Sequence, residues 1–286
     1  MSIEWYPGHI AKARREIKEH LKDVDIVIEV IDARCPMSSI NFLNEEIKNK
    51  KRLVIVNKTD LADEKMIKNF TKDTISKAQG HEFDGEILFL DSRDNTIQKL
   101  VDKKVNKICD EIYERFEKRG IKNVALKAMV VGMPNVGKST FINSYVRKKV
   151  NKVENSPGVT KSLQWAKISD KLLLLDTPGV TVKKFESSDV GINLALVGSI
   201  NDDIVEKQDL AYEFLKKCYK KYYKLFIDRY KLKESNENSD ALFVMDEIAK
   251  NNRFYKSGNN IDYERTANLI INDFRKGKIG RISLEV

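Results

Sequence analysis

Between residues 24 and 175 the chain repeats one unit: a short apolar run, a polar signature at its end, then a longer helical stretch. Asp25–Ile31 ends at Asp32, Arg52–Val56 at Asn57, Glu86–Leu90 runs into Asp91-Ser92, and Val124–Val131 opens into a Gly-rich turn. Apolar runs of this length predict strands buried on both faces. Helical stretches near 39–49, 63–79, 96–118 and 138–147 separate or follow them, so the pattern predicts an α/β fold with a mostly parallel sheet. Gln164–Ile168 and Lys171–Leu175 flank Ser169-Asp170 closely enough for a hairpin, which predicts one antiparallel strand. Ahead of them, residues 9–22 put Ile10, Ala13, Ile17 and Leu21 on one face of an amphipathic helix. After about residue 200 strand signals stop, and segments near 207–231, 239–251 and 262–275 have helical character. The expected division is therefore an α/β unit over 1–199 and an all-helical unit over 200–286.

Composition adds limits. With 41% hydrophobic and 33% charged residues the 286-residue chain is globular in character. No stretch approaches the roughly 18 to 20 apolar residues of a spanning helix, so no membrane partner is expected. Met1-Ser2-Ile3-Glu4-Trp5 lacks the basic-then-apolar pattern of a signal peptide. Cys35, Cys109 and Cys218 are far apart, which argues against a disulfide framework or zinc site and for a reducing cytoplasm.

The chemistry lies where the strands end. Gly132-Met133-Pro134-Asn135-Val136-Gly137-Lys138-Ser139 fits G-x-x-x-x-G-K-[ST] between a strand and a helix, with Thr140 following. Such a loop wraps backbone N–H groups around phosphate oxygens, and the helix N-terminus adds positive potential. Lys138 is expected to bridge the β- and γ-phosphates and Ser139 to ligate Mg²⁺. Asp176-Thr177-Pro178-Gly179 closes a later strand. Asp176 can hold Mg²⁺ through water, and the Gly179 N–H can reach the γ-phosphate. Thr160, in Pro157-Gly158-Val159-Thr160, sits where a switch threonine would bind Mg²⁺ only while the γ-phosphate is present.

Asn57-Lys58-Thr59-Asp60 matches the N-K-x-D guanine signature. The Asp60 carboxylate can accept from guanine N1–H and N2–H₂ together, whereas adenine offers neither donor there. Asn57 and Lys58 are expected to brace the loops and line the base, and the backbone at Ser92 and Arg93 to meet guanine O6. The base motifs precede the phosphate motifs, the reverse of the usual GTPase order. This points to a P-loop GTPase fold, circularly permuted, in which the helix near 96–118 joins the former ends and the switches lead straight into the helical unit.

The chain resembles the ribosome biogenesis GTPase A family, the YlqF-type circularly permuted GTPases, over essentially its whole length. Carrying the resemblance are Trp5-Tyr6-Pro7-Gly8-His9, Asp32-Ala33-Arg34-Cys35-Pro36, the permuted motif series, Asp189-Val190-Gly191 and the closing Asp273-Phe274-Arg275-Lys276-Gly277-Lys278-Ile279-Gly280. The resemblance implies a GTPase that binds the large (50S) ribosomal subunit precursor and its rRNA and is stimulated by that particle at a late assembly step. Val180 stands where Ras-like enzymes carry a water-orienting glutamine. The resemblance passes that role to His9, and a helix-start position suits a neutral imidazole. An asparagine in the phosphate loop beside such a substitution implies K⁺ bound by Asn135.

The 52 Lys+Arg against 43 Asp+Glu give a net charge of +9. Three basic clusters are candidate rRNA contacts: Arg147-Lys148-Lys149 with Lys152 and Lys161, Leu215–Phe226 with its interleaved tyrosines, and Arg275–Arg281. Yet residues 200–286 hold 17 basic against 15 acidic residues, so the helical unit is not strongly cationic. A monomer is expected. Two readings stay beside the leading one: a nucleotide-gated RNA-binding scaffold with incidental hydrolysis, and a permuted GTPase of the small subunit.

Overall fold

The computed structural model describes residues 18–40, 44–121, 124–146, 165–176 and 187–285. Among the described residues six strands form one sheet: β1 (Ile26–Asp32), β2 (Lys51–Asn57), β3 (Gly85–Phe89), β4 (Leu126–Val131), β5 (Trp165–Ser169) and β6 (Leu172–Asp176). Their order is β3-β2-β1-β4-β6-β5. All neighbours are parallel except the β5–β6 hairpin. The strand that leads into the phosphate loop, β4, thus lies beside β1, the first strand among the described residues, as a permuted GTPase sheet requires.

Every residue of β1 and of β2 is buried, as expected of interior parallel strands covered on both faces. The helices are α1 (Pro36–Ile40), α2 (Asn44–Ile47), α3 (Glu64–Asn69), α4 (Lys72–Gln79), α5 (Ile97–Glu117), α6 (Lys138–Val146), α7 (Ser188–Leu196), α8 (Lys207–Tyr230), α9 (Ala241–Asn251) and α10 (Tyr263–Arg275). The helix expected near 63–79 is two, because Phe70 leaves helical geometry and Thr71 starts again with a reciprocal cap to Thr74. Helix α7 was not anticipated. Of the helix expected over 9–22, only its last turn falls within the described residues.

Register brings three functional strand ends to one edge. Asp32 pairs with Asn57 across β1–β2, and Glu29 pairs with Val131 across β1–β4. The loops after β1, β2 and β4 therefore leave the sheet side by side at its carboxyl edge, where open α/β sheets bind ligands. Helices α7 to α10 pack onto this assembly: one buried apolar cluster contains Val130 and Met133, Leu194 and Leu196, and Phe214 and Phe274.

Candidate functional site

Gly132 leaves β4 with a φ of +153°, and a Cβ there would lie 2.3 Å from the Val30 carbonyl oxygen. Only glycine lets the loop turn this close to β1. The loop continues through Asn135, itself left-handed at φ 59°, to Gly137 at φ +100°. Val136 is fully buried, while Ser139 and Thr140 lie exposed in the first turn of α6. Lys138 begins that helix, and its Nζ donates to the loop's own carbonyls at Gly132 (2.9 Å) and Met133 (2.7 Å). A fixed cation, a left-handed loop and a helix N-terminus make an anion cradle.

The base-side residues converge on this cradle. Asn57, 2% exposed, donates from Nδ2 to the Val136 carbonyl at 2.8 Å. Its Oδ1 accepts from the Ser92 N–H (2.9 Å) and hydroxyl (2.8 Å). One amide thus joins the phosphate loop, the end of β2 and the loop after β3. Lys58, at φ 62°, donates to the Asn135 carbonyl (2.5 Å) and to Asp32 Oδ2 (2.9 Å). Asp32 is fully buried and also receives Arg34 Nε at 2.9 Å and Nη2 at 2.8 Å. Burial pushes this carboxyl up, but Arg34 and Lys58 outweigh it and hold the group well below the usual carboxylate range.

Between the two ends lies a cavity of about 210 Å³, lined by Asn57, Lys58, Asp60, Leu61, Asp91, Ser92, Arg93, Gly137, Thr140 and Arg275. The Ser92 and Arg93 N–H groups, expected to meet guanine O6, donate within the protein, Ser92 to Asn57 and Arg93 to Asp91, each at 2.9 Å. The Arg93 side chain meets Asp60 Oδ2 at 2.5 Å, so an arginine covers the carboxylate expected to read guanine. Asn135 donates from Nδ2 to the Gly198 carbonyl at 2.6 Å, and the Ser199 hydroxyl donates to the Pro134 carbonyl at 2.8 Å. The corner after α7 therefore braces the phosphate loop. His9, Thr160, Gly179, Val180 and the Asp176 side chain lie outside the described residues.

The fold agrees with that of a solved neighbour, and named relatives match along the whole chain. Ribosome biogenesis GTPase A from Bacillus licheniformis is 41% identical, with 100% of this chain and 98% of the relative covered. The Bacillus cereus protein of the same name is 39% identical over 100% of this chain and 94% of its own. A GDP-bound YlqF structure matches with a TM-score of 0.65 at 26% identity, covering 95% of this chain and 98% of that one. The chain belongs to the ribosome biogenesis GTPase A family. A profile described as 50S ribosome-binding GTPase also matches residues 127–260. As a member of the ribosome biogenesis GTPase A family the protein hydrolyses GTP.

Two of the basic clusters have structural partners that the sequence pattern did not reveal. Arg275 donates to the carbonyls of Leu196 (3.0 Å) and Ala195 (2.8 Å) at the end of α7 and pairs with Asp202 at 2.7 Å. Arg281 binds the Ala62 carbonyl at 2.8 Å and Glu64 at 2.7 Å. On α8, Tyr219 is buried and the Tyr222 hydroxyl donates to Asp63 at 2.8 Å, so these rings pack rather than wait for bases. The cluster from Arg147 to Lys161 lies outside the described residues. No spacing rule could have found Arg275 and Arg281, whose partners are distant in the chain.

Proposed function

We propose that this GTPase binds the precursor of the large ribosomal subunit and hydrolyses GTP at a late step of its assembly, with the particle stimulating turnover. The observation that carries this reading is the full-length match to proteins named ribosome biogenesis GTPase A, joined to a site in which base and phosphate loops are braced as one unit. In this reading Asp60 reads guanine, and Lys138 with the loop amides from Asn135 to Ser139 holds the phosphates. Residues 200–286 serve as the helical rRNA-contacting unit. Lys216, Lys220 and Lys224 recur every four positions along α8 and are exposed, which gives the unit one cationic face.

Ser139, Thr160 and Asp176 are proposed to hold Mg²⁺, which would neutralise charge on the phosphates. Ser139 fits that role as an exposed hydroxyl at the mouth of the anion cradle, and hard oxygen donors suit Mg²⁺. Asn135 is proposed as a K⁺ ligand through Oδ1, since its bond to Gly198 uses the amide nitrogen. His9 is proposed to orient water in place of the glutamine that Val180 replaces. The protein is proposed to act in the cytoplasm as a monomer.

Sedimentation of cell extract with a non-hydrolysable GTP analogue tests the partner. The protein is expected to travel with large-subunit particles and to dissociate steeply as salt rises. Sedimentation with small-subunit particles, or at the top of the gradient, refutes the reading. Turnover in K⁺ against Na⁺ buffer tests Asn135, and equal rates remove the K⁺ assignment.

A further inference from the structure

The base-reading turn is held from outside itself. After β2 ends at Asn57, residues 58–62 form an irregular turn. The last residues of the chain run along it. Arg281 donates from Nη2 to the Thr59 carbonyl (3.1 Å) and from Nε to the Ala62 carbonyl (2.8 Å). The Ile282 N–H donates to the Leu61 carbonyl at 3.0 Å, so carbonyls on both sides of Asp60 are fixed by this tail. Further along, the Ser283 hydroxyl accepts from the Asp63 N–H at 3.0 Å, and the Leu284 N–H donates to the Arg34 carbonyl at 2.8 Å. Glu285 then accepts the N–H groups of Met37 and Ser38, each at 2.7 Å. Upstream, Gly277 at φ +69° approaches Leu61 so closely that a Cβ would lie 2.5 Å from its Cδ2.

We infer that residues 281–285 are a specificity strap, with Arg281 as its main positioning residue, that fixes the Asp60 carboxylate for guanine and links occupancy of the base pocket to the C-terminal helices. The inference rests on the reading of Asp60 proposed above. Two-point recognition of N1–H and N2–H₂ demands a fixed carboxylate plane, because a loosened turn keeps one contact and loses the other. The linkage is reciprocal: a base that tightens the turn also tightens the tail. It is separate from any path through the switch segments, since it enters at the opposite end of the nucleotide.

Binding of GTP and of inosine triphosphate to the full-length chain tests the strap. Inosine lacks the 2-amino group, so the ratio of the two affinities reports the second contact to Asp60. Arg281→Ala is expected to lower the preference for GTP over inosine triphosphate about fivefold. Arg281→Lys, able to meet one carbonyl only, is expected to restore part of it. A role in packing alone would weaken both nucleotides equally, and an unchanged ratio in both variants overturns the strap. In the unaltered protein, GDP is expected to slow amide exchange at Ile282 and Leu284 several-fold, and no change there overturns it as well. Asp60→Asn separates the two levels. If that variant turns to xanthosine triphosphate while Arg281→Ala keeps its ratio, the strap alone falls. If it keeps its preference for GTP, the base reading and the strap fall together.

Discussion

At Gly137 a methyl group would lie 2.3 Å from Asn57 Nδ2, on a backbone already at φ +100°. Gly137→Ala must therefore both strain the loop and push away the amide that joins the phosphate and base loops. The expected cost is about 2 to 3 kcal/mol in nucleotide affinity, from backbone strain and one lost buried hydrogen bond. Titration with a fluorescent GDP analogue reads it, and an affinity within twofold of the parent would show that the loop re-forms without Asn57. Arg93 calls for the opposite outcome. Its guanidinium pairs with Asp60, yet it is held from behind by Asp91 at 2.6 Å and is two-thirds exposed. A base must displace it from Asp60, and exposed pairs of this kind are worth about 0 to 1 kcal/mol. Arg93→Ala should accordingly strengthen GDP binding by about two- to fivefold, mostly through faster association, as stopped-flow mixing can measure. Weaker binding would mean that the side chain itself holds the nucleotide.

Among the elements, α5 occupies the join between the former ends of the sheet, and Glu86 on β3 anchors it. Lys104 and Lys107 of α5 reach the Glu86 carboxylate at 2.6 Å each, and Lys72 of α4 lies 3.7 Å away. Burial raises this carboxyl, but the lysine hydrogen bonds and charges bring it down to about 2. A lowered carboxyl contributes stability that is present above its ordinary value of 4.5 and is lost as pH falls through about 2. Glu86→Gln should thus cost about 1 to 2 kcal/mol in urea unfolding at pH 7, with the lysines' exposure keeping it there. The deficit should shrink as pH drops from 4.5 towards 2. A deficit independent of pH would assign the effect to packing. The six strands were legible in the sequence because buried parallel strands are written as apolar runs, and each expected strand lies within a residue or two of the observed one. Helix α7 was not, since Gly191 to Leu196 are all buried and leave little polar–apolar period to detect. Within the strands, buried Glu29 and Arg52 were equally silent: they answer each other across β1 and β2, and neither shows a partner from its own neighbourhood. The site divides in the same way. Asn57 to Asp60 and Gly132 to Ser139 carry their chemistry in local spacing, whereas Arg275 and Arg281 act on residues 73 and 217 positions away.

Across the whole molecule, the sheet and the C-terminal helices share both a core and a charged pivot. The expected division near residue 200 passes through the corner that binds the phosphate loop, where Asn135 meets Gly198 and Ser199 meets Pro134. Arg34, 1% exposed, is the pivot. It pairs with Asp32, which also holds Lys58 of the base loop, and its guanidinium lies 4.9 Å from the centre of the Phe274 ring on α10. Removing its side chain leaves the buried carboxylate with Lys58 and the backbone N–H of position 34, and takes away a cation–π contact to the helices. Arg34→Ala should cost about 3 to 5 kcal/mol, and Arg34→Lys should recover little, because an ammonium cannot reproduce the two-point pairing. The parent protein should unfold in one transition in urea, with GDP shifting sheet and helices together, since the apolar cluster is continuous between them. In Arg34→Ala the signal from the C-terminal helices should separate from the nucleotide-dependent one. If the variant still melts as a single nucleotide-stabilised unit, the apolar core by itself joins the two parts and the pivot serves only the site.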